Sequence, residues 1–247
     1  MSDGFFSTIV TTPLYNGMVL LMGALPWADL GVVIILFTCI IRLVLFPLAQ
    51  KSVKTQIVMQ EIQPKLDAIR EQFKGDPQQQ ASRTMAVYKE NGLNPFASIL
   101  FMFIQIPIIF GLYFMFLHAG FPSIDSNFLY SFVHVPAGVD TMFLGFVDMT
   151  VKSIPIAILA GVFQFIQAQL MKMPKPKQDD KPSFGKEFTK SLNFQMKYVF
   201  PLIIIFVAAA LPASIALYWA TSNVFSIGQE LYVRKHLKKQ GDNVVTV

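Results

Sequence analysis

From Met196 to Val233 the chain is almost continuously apolar for 38 residues. A bilayer's hydrocarbon core is about 30 Å thick and takes about 20 residues of helix to cross, so this run is too long for one crossing. Proline ends or kinks a helix at the residue before it, which places the break at Leu211-Pro212 and makes the run a tight hairpin of two spans. Three more apolar runs approach the same length: Leu30 to Leu48, Phe96 to Leu117 and Val151 to Met171. Hydrophobic residues make up 53% of the chain and charged residues 14%, against roughly 25% charged in a soluble domain. Too little polar surface is left to keep such a chain in water. The expected fold class is all-α, a polytopic membrane protein of five transmembrane helices. Leu14 to Leu25 is apolar but short and lies between Pro13 and Pro26, which predicts a helix along the membrane interface.

Charge predicts the orientation. Of the 20 Lys and Arg, seven lie in 51–95, seven in 172–197 and four in the tail from Arg234, and none lies in 1–29 or 118–150. Basic segments stay cytoplasmic, so the N-terminus is expected outside and the C-terminus inside. The resulting layout is an extracytoplasmic N-terminus with an interfacial helix (1–29), a first span (30–50), a cytoplasmic helical hairpin (51–95), a second span (96–117), an extracytoplasmic loop (118–150), a third span (151–171), a cytoplasmic loop (172–195), the fourth and fifth spans (196–211 and 213–233) and a basic tail (234–247). No Lys or Arg precedes Arg42, so a cleavable signal with a basic start is not expected. The lone cysteine, Cys39, falls in the first span and is expected to be a small core hydrophobe.

Within 51–95, Ile62, Leu66, Ile69 and Phe73 recur at helical spacing. Gly75-Asp76-Pro77 makes a turn, and Ala81, Met85 and Tyr88 share a face of the helix that follows. Gly92 suits a C-cap, and Asn94-Pro95 an N-cap and first residue of the second span. The tail cations Arg234, Lys235, Lys238 and Lys239 can anchor the topology or meet anionic lipid or ribosomal RNA.

Arg42 is the most informative residue. It sits about twelve residues into the first span, roughly 18 Å from its outer end at 1.5 Å per residue. A charge near the bilayer centre costs roughly 2.5–3.5 kcal/mol on insertion scales. No Asp or Glu lies deep in any span to offset it: Glu230 is near the cytoplasmic end of the fifth, and Asp29 and Asp148 are at outer edges. Snorkelling to the interface is one account, and a wet cavity faced by Arg42 is the other. Gln105, Gln164, Gln167, Trp219, Ser222, Asn223, Ser226 and Gln229 spread polar groups over three further spans. Taken singly, such residues bond a neighbouring helix; with an unpaired arginine they predict a hydrophilic groove, open to the cytoplasm and closed outside. Prolines 47, 107, 155 and 201, in or at the ends of spans, suit yielding helices.

Four stretches carry a family resemblance: Ile34–Met59 (IILFTCIIRLVLFPLAQKSVKTQIVM), Gln63-Pro64-Lys65, Tyr88–Phe114 (YKENGLNPFASILFMFIQIPIIFGLYF) and Ala216–Tyr232 (ALYWATSNVFSIGQELY). Together they resemble the YidC insertases, in matching order over about residues 5–235. The resemblance implies that Arg42 lies in a hydrophilic substrate groove lined by Gln105, Trp219 and Gln164 or Gln167. It also implies that the cytoplasmic hairpin assists nascent membrane proteins, and that the ribosome and the Sec translocon are candidate partners. Neither the large extracytoplasmic domain of some relatives nor the lipoprotein cysteine of others is found here. The short tail argues against strong ribosome docking.

The function expected is insertion and chaperoning of membrane proteins, by a monomer in the bacterial plasma membrane, with no cofactor or metal. No P-loop, HExxH or Ser-His-Asp pattern occurs, and His118 and His134 fall in or beside the outer loop, so an enzyme is not expected. An ion-coupled transporter or channel would need a mid-membrane carboxylate or an internal repeat, and neither is evident. A pure assembly scaffold is the other alternative, and sequence does not separate it from an insertase.

Overall fold

The computed structural model describes residues 4–93, 96–118, 123–136, 138–170, 191 and 193–244. Most of the loop expected at 172–195, the Asn94-Pro95 pair and tail residues 245–247 lie outside that set. Within it the chain is almost entirely helical. A π-helical turn at Ser7–Thr11 runs without a break into α1 (Thr12–Ala24), and this wider turn falls just before Pro13, which has no N–H to give to the helix ladder. One face of α1 is buried through Tyr15, Met18, Val19 and Met22. Its polar groups hold the following loop: Asp125 N–H donates to the Tyr15 hydroxyl (2.8 Å), Asn16 Nδ2 donates to the Phe128 carbonyl (2.8 Å), and Tyr130 N–H donates to Asn16 Oδ1 (2.7 Å).

Helix α2 (Leu30–Val44) starts at Asp29, whose carboxylate accepts from Val32 N–H at 2.9 Å as an N-cap. It ends where Phe46-Pro47 opens α3 (Phe46–Glu61), and the two helices meet at 65°. The cause is local: proline lacks the N–H that would reach Leu43, and its ring clashes with that carbonyl. The apolar run at 30–48 is therefore two helices rather than one straight rod. Helices α4 (Gln63–Gln72) and α5 (Pro77–Glu90) fold back on each other. Asp76 caps α5 by accepting from Gln79 N–H (3.0 Å), the Arg83 guanidinium lies over the Phe73 ring (5.9 Å), and Gly92 ends the segment at φ +62°.

Helix α6 (Phe96–His118) is followed by a loop that ends in a small antiparallel hairpin, β1 (Met142–Phe143) with β2 (Val147–Asp148). Thr150 donates through its N–H (2.9 Å) and Oγ1 (2.7 Å) to Asp148, and these bonds hold that carboxyl below its usual range. Helices α7 (Ile154–Leu170), α8 (Phe200–Ala210, entered through a π-helical turn at Gln195–Val199) and α9 (Ala213–Val244) complete the bundle. No proline follows Pro212, so α9 runs past residue 233 to Val244. The α8–α9 corner is sewn to the loop by Ala213 N–H to Val151 O (2.8 Å) and Ser214 N–H to Met149 O (3.0 Å). Among the described residues no single helix is both long and apolar enough to cross a bilayer alone; the bent pair α2–α3 is.

Packing differs along the bundle axis. The tightly buried apolar side chains cluster at the loop end: Leu30, Val33, Ile34 and Phe37 from α2, Leu112 and Met115 from α6, Ile156 and Ala157 from α7, Ala208 from α8, and Ala213, Ile215, Ala216 and Leu217 from α9. Around the outside, Leu36, Ile40 and Leu43 on α2, Phe103 and Phe110 on α6, Ile158 and Val162 on α7, and Leu202 and Phe206 on α8 are exposed. A water-soluble protein rarely exposes so much contiguous apolar surface. This is a polytopic membrane protein of the all-α class, with its apolar belt turned to lipid.

Candidate substrate groove

Below the apolar layer, towards the end that carries α4 and α5, several of the buried side chains are polar: Arg42, Ser52, Thr55, Ser222, Asn223, Gln229 and Glu230. Arg42 lies in the last turn of α2, just before the bend, and is 9% exposed. Among the described residues no carboxylate pairs with it. The buried acid on α9, Glu230, is taken by Arg234 (2.6 Å), which also donates to the Leu170 carbonyl at the end of α7 (3.0 Å).

The Tyr218 phenol on α9 lies near Arg42. Tyr218 is 3% exposed, and its hydroxyl accepts from Gln105 Nε2 of α6 at 3.0 Å. One turn further along α9, the Ser222 hydroxyl is buried without a hydrogen-bond partner among the described residues, and so is Gln105 Oε1. Buried polar atoms are almost always hydrogen-bonded, to protein or to water. Three helices thus converge on an uncompensated cation and two unsatisfied polar atoms, a cluster suited to hold water or an anionic guest. Among the described residues no three or more His, Cys, Asp or Glu are grouped as metal ligands would be.

The polar residues of α9 divide between two faces. Tyr218, Ser222 and Gln229 recur at helical spacing; Tyr218 meets α6, and Gln229 Nε2 donates to the Phe46 carbonyl at the α2–α3 bend (3.2 Å). Successive residues of a helix are 100° apart, so Asn223 turns to α7 instead and donates to the Ala160 carbonyl (3.3 Å). Ser226 lies half-buried one turn beyond Ser222 and Asn223. Trp219 is half-buried and packs against the apolar core. On α7, Gln164 continues the buried small-residue stripe of Ala157, Ala160, Gly161 and Ala168, and Gln167 flanks it; both glutamines are half-buried. Arg42, Gln105 and Ser222 therefore come together around Tyr218, while Asn223 joins α9 to α7. Sequence reasoning passed over Tyr218. Its signal was a phenol one helical turn before Ser222.

The family described as 60Kd inner membrane protein matches residues 22–240. The chain is 31% identical over 239 residues to the membrane protein insertase YidC of Clostridium tetani, covering 97% of this chain and 91% of that protein. It is likewise 31% identical over 239 residues to that of Oceanobacillus iheyensis, covering 95% of this chain and 85% of that protein. Against the one from Leptospira interrogans it is 32% identical over 240 residues, 95% of this chain but 36% of that longer protein. A match over most of the chain, carried on a helical bundle with a lipid-facing belt, makes the protein a member of the 60Kd inner membrane protein family, multi-pass proteins of the bacterial inner membrane.

Proposed function

We propose that the chain is a membrane protein insertase, as its relatives are named, and that the polar cluster around Arg42 is the floor of a groove that receives nascent membrane proteins. In this reading the protein has five spans, with the N-terminus outside and the α4–α5 hairpin and C-terminus in the cytoplasm, an orientation supported by the placement of 18 of its 20 Lys and Arg. The apolar layer at the loop end closes the groove to the outside. The polar outer segment of a client enters from the cytoplasm and is drawn to Arg42. The hydrocarbon it must still cross is then shorter. Its apolar segment passes along α7 and α9 into lipid, and burial of about 20 apolar residues drives the step. No bond is made or broken, so the protein acts as an insertion factor and not as an enzyme. It works as a monomer, alone or beside the Sec translocon and the ribosome.

The observation that carries this reading is Arg42, buried and unpaired beside the unsatisfied Gln105 and Ser222 atoms. A closed apolar bundle would expel such a charge, whereas a wet groove solvates it. Thiol labelling tests the groove directly. With Cys39→Ser removing the native thiol, Ser226→Cys is expected to react with a membrane-impermeant methanethiosulfonate in inside-out vesicles and to stay unlabelled in right-side-out ones. Labelling from the outside alone, or from neither side in folded protein, would overturn the groove.

A further inference from the structure

The β1–β2 hairpin carries a tip that is unusual for a tight turn in water. Phe143 pairs with Val147, so the connecting residues are Leu144, Gly145 and Phe146. Turns exposed to water favour Asn, Asp and Gly, whose side chains tolerate positive φ or stay solvated. Here Leu144 adopts φ +52° and is 62% exposed, while Phe146 is 86% exposed. A left-handed conformation is disfavoured for leucine, so the fold holds Leu144 there against local preference, with the Phe146 side chain exposed two residues on.

The hairpin is fixed where it stands. Asp29 Oδ2 accepts from Leu144 N–H (3.1 Å) while the other oxygen caps α2, and the Asp140 carbonyl accepts from Leu30 N–H (2.7 Å). Phe143 rests against Gly31, where a Cβ would collide with its ring. The exposed stripe of α2 runs through Leu36, Ile40 and Leu43, and two turns before Leu36 stands Asp29, the residue that holds the hairpin. Trp27, 75% exposed just before Asp29, adds an aromatic of the kind enriched at membrane boundaries. The tip therefore stands at the head of the lipid-facing belt, in a loop segment without Lys or Arg.

We infer that Leu144 and Phe146 dip into the bilayer interface at the outer end of α2, so that the hairpin is a lipid anchor setting the depth of α2, and with it of Arg42. The partner is the lipid surface itself. The inference rests on α2 lying within the membrane and not on the groove's role in insertion.

Nitroxide scanning tests it on the full chain reconstituted in phosphatidylethanolamine–phosphatidylglycerol vesicles. In the Cys39→Ser background, single labels are placed at Phe146→Cys and, as an aqueous reference in the same loop, at Ser126→Cys. Collision with oxygen is expected to exceed collision with a water-soluble nickel chelate at 146, with the order reversed at 126. A label at 146 that favours nickel as the one at 126 does would leave the tip in water and overturn the proposal. A label at 146 that is immobilised and shielded from both agents would assign the tip to a protein contact, which also overturns it. Neither outcome depends on whether insertion occurs, so failure here leaves the groove reading standing.

Discussion

Replacing Arg42 with alanine is expected to lower insertion of a client with an acidic outer segment by at least about 10-fold, a factor equivalent to about 1.4 kcal/mol. The same variant should be as stable as wild type or more so. The two effects share one cause. A cation held in lipid at this depth costs roughly 2.5–3.5 kcal/mol; Arg42 has no carboxylate partner among the described residues, so only the groove's water offsets that cost. Its removal leaves no orphaned partner, unlike the breaking of a buried ion pair. What is lost is attraction for a guest, which at an effective dielectric of about 20 reaches about 4 kcal/mol for charges 4 Å apart. Arg42→Lys should keep much of the activity, because the charge persists. Clients whose outer segment is neutral should be affected least. Thermal unfolding in detergent and protease protection of two clients differing only in that segment read both quantities. An alanine variant that melts well below wild type would recast Arg42 as a structural residue.

Gly161→Ala is expected to remove most folded protein from the membrane, although only a methyl is added. A Cβ at this position would collide with the Ile205 side chain of α8 and come within 3.1 Å of the Pro201 carbonyl. Small residues let membrane helices approach closely, and overpacking a tight contact costs typically 1–3 kcal/mol. Ile205→Ala clears the side-chain collision, so the double variant Gly161→Ala/Ile205→Ala should recover yield relative to Gly161→Ala alone. Size-exclusion profiles of the three proteins give the comparison. Equal recovery of the single variant and wild type would show that the α7–α8 contact adjusts freely.

The class of the fold was legible because its cause is compositional: apolar runs that approach bilayer length follow from the membrane itself. Pro47 announced a disturbance after the first run, but not the 65° turn between α2 and α3. That angle depends on where α3 packs against α6 and α9. Gly161 was likewise silent, since its need for a missing side chain arises only when Ile205 is brought across from another helix.

The polar cluster was legible in part. Arg42 stands out in any hydropathy reading because its cost is local. Tyr218 did not, because a phenol in an apolar run resembles ordinary membrane aromatics and its partner Gln105 is 113 positions away. Ser222 and Asn223 are neighbours in the sequence. The 100° between neighbours on a helix sends them to different partners, and hydrogen bonds across helices, not spacing along one, separate a candidate groove residue from a helix-joining one.

The central claim, that this chain itself inserts membrane proteins, is tested most directly with the purified protein alone in liposomes. A short single-span client is supplied by cell-free translation, and protease protection of its outer end is scored against empty liposomes. Protection well above the empty-liposome level is the predicted result. Protection no greater than that level, with the reconstituted protein folded, would contradict the account.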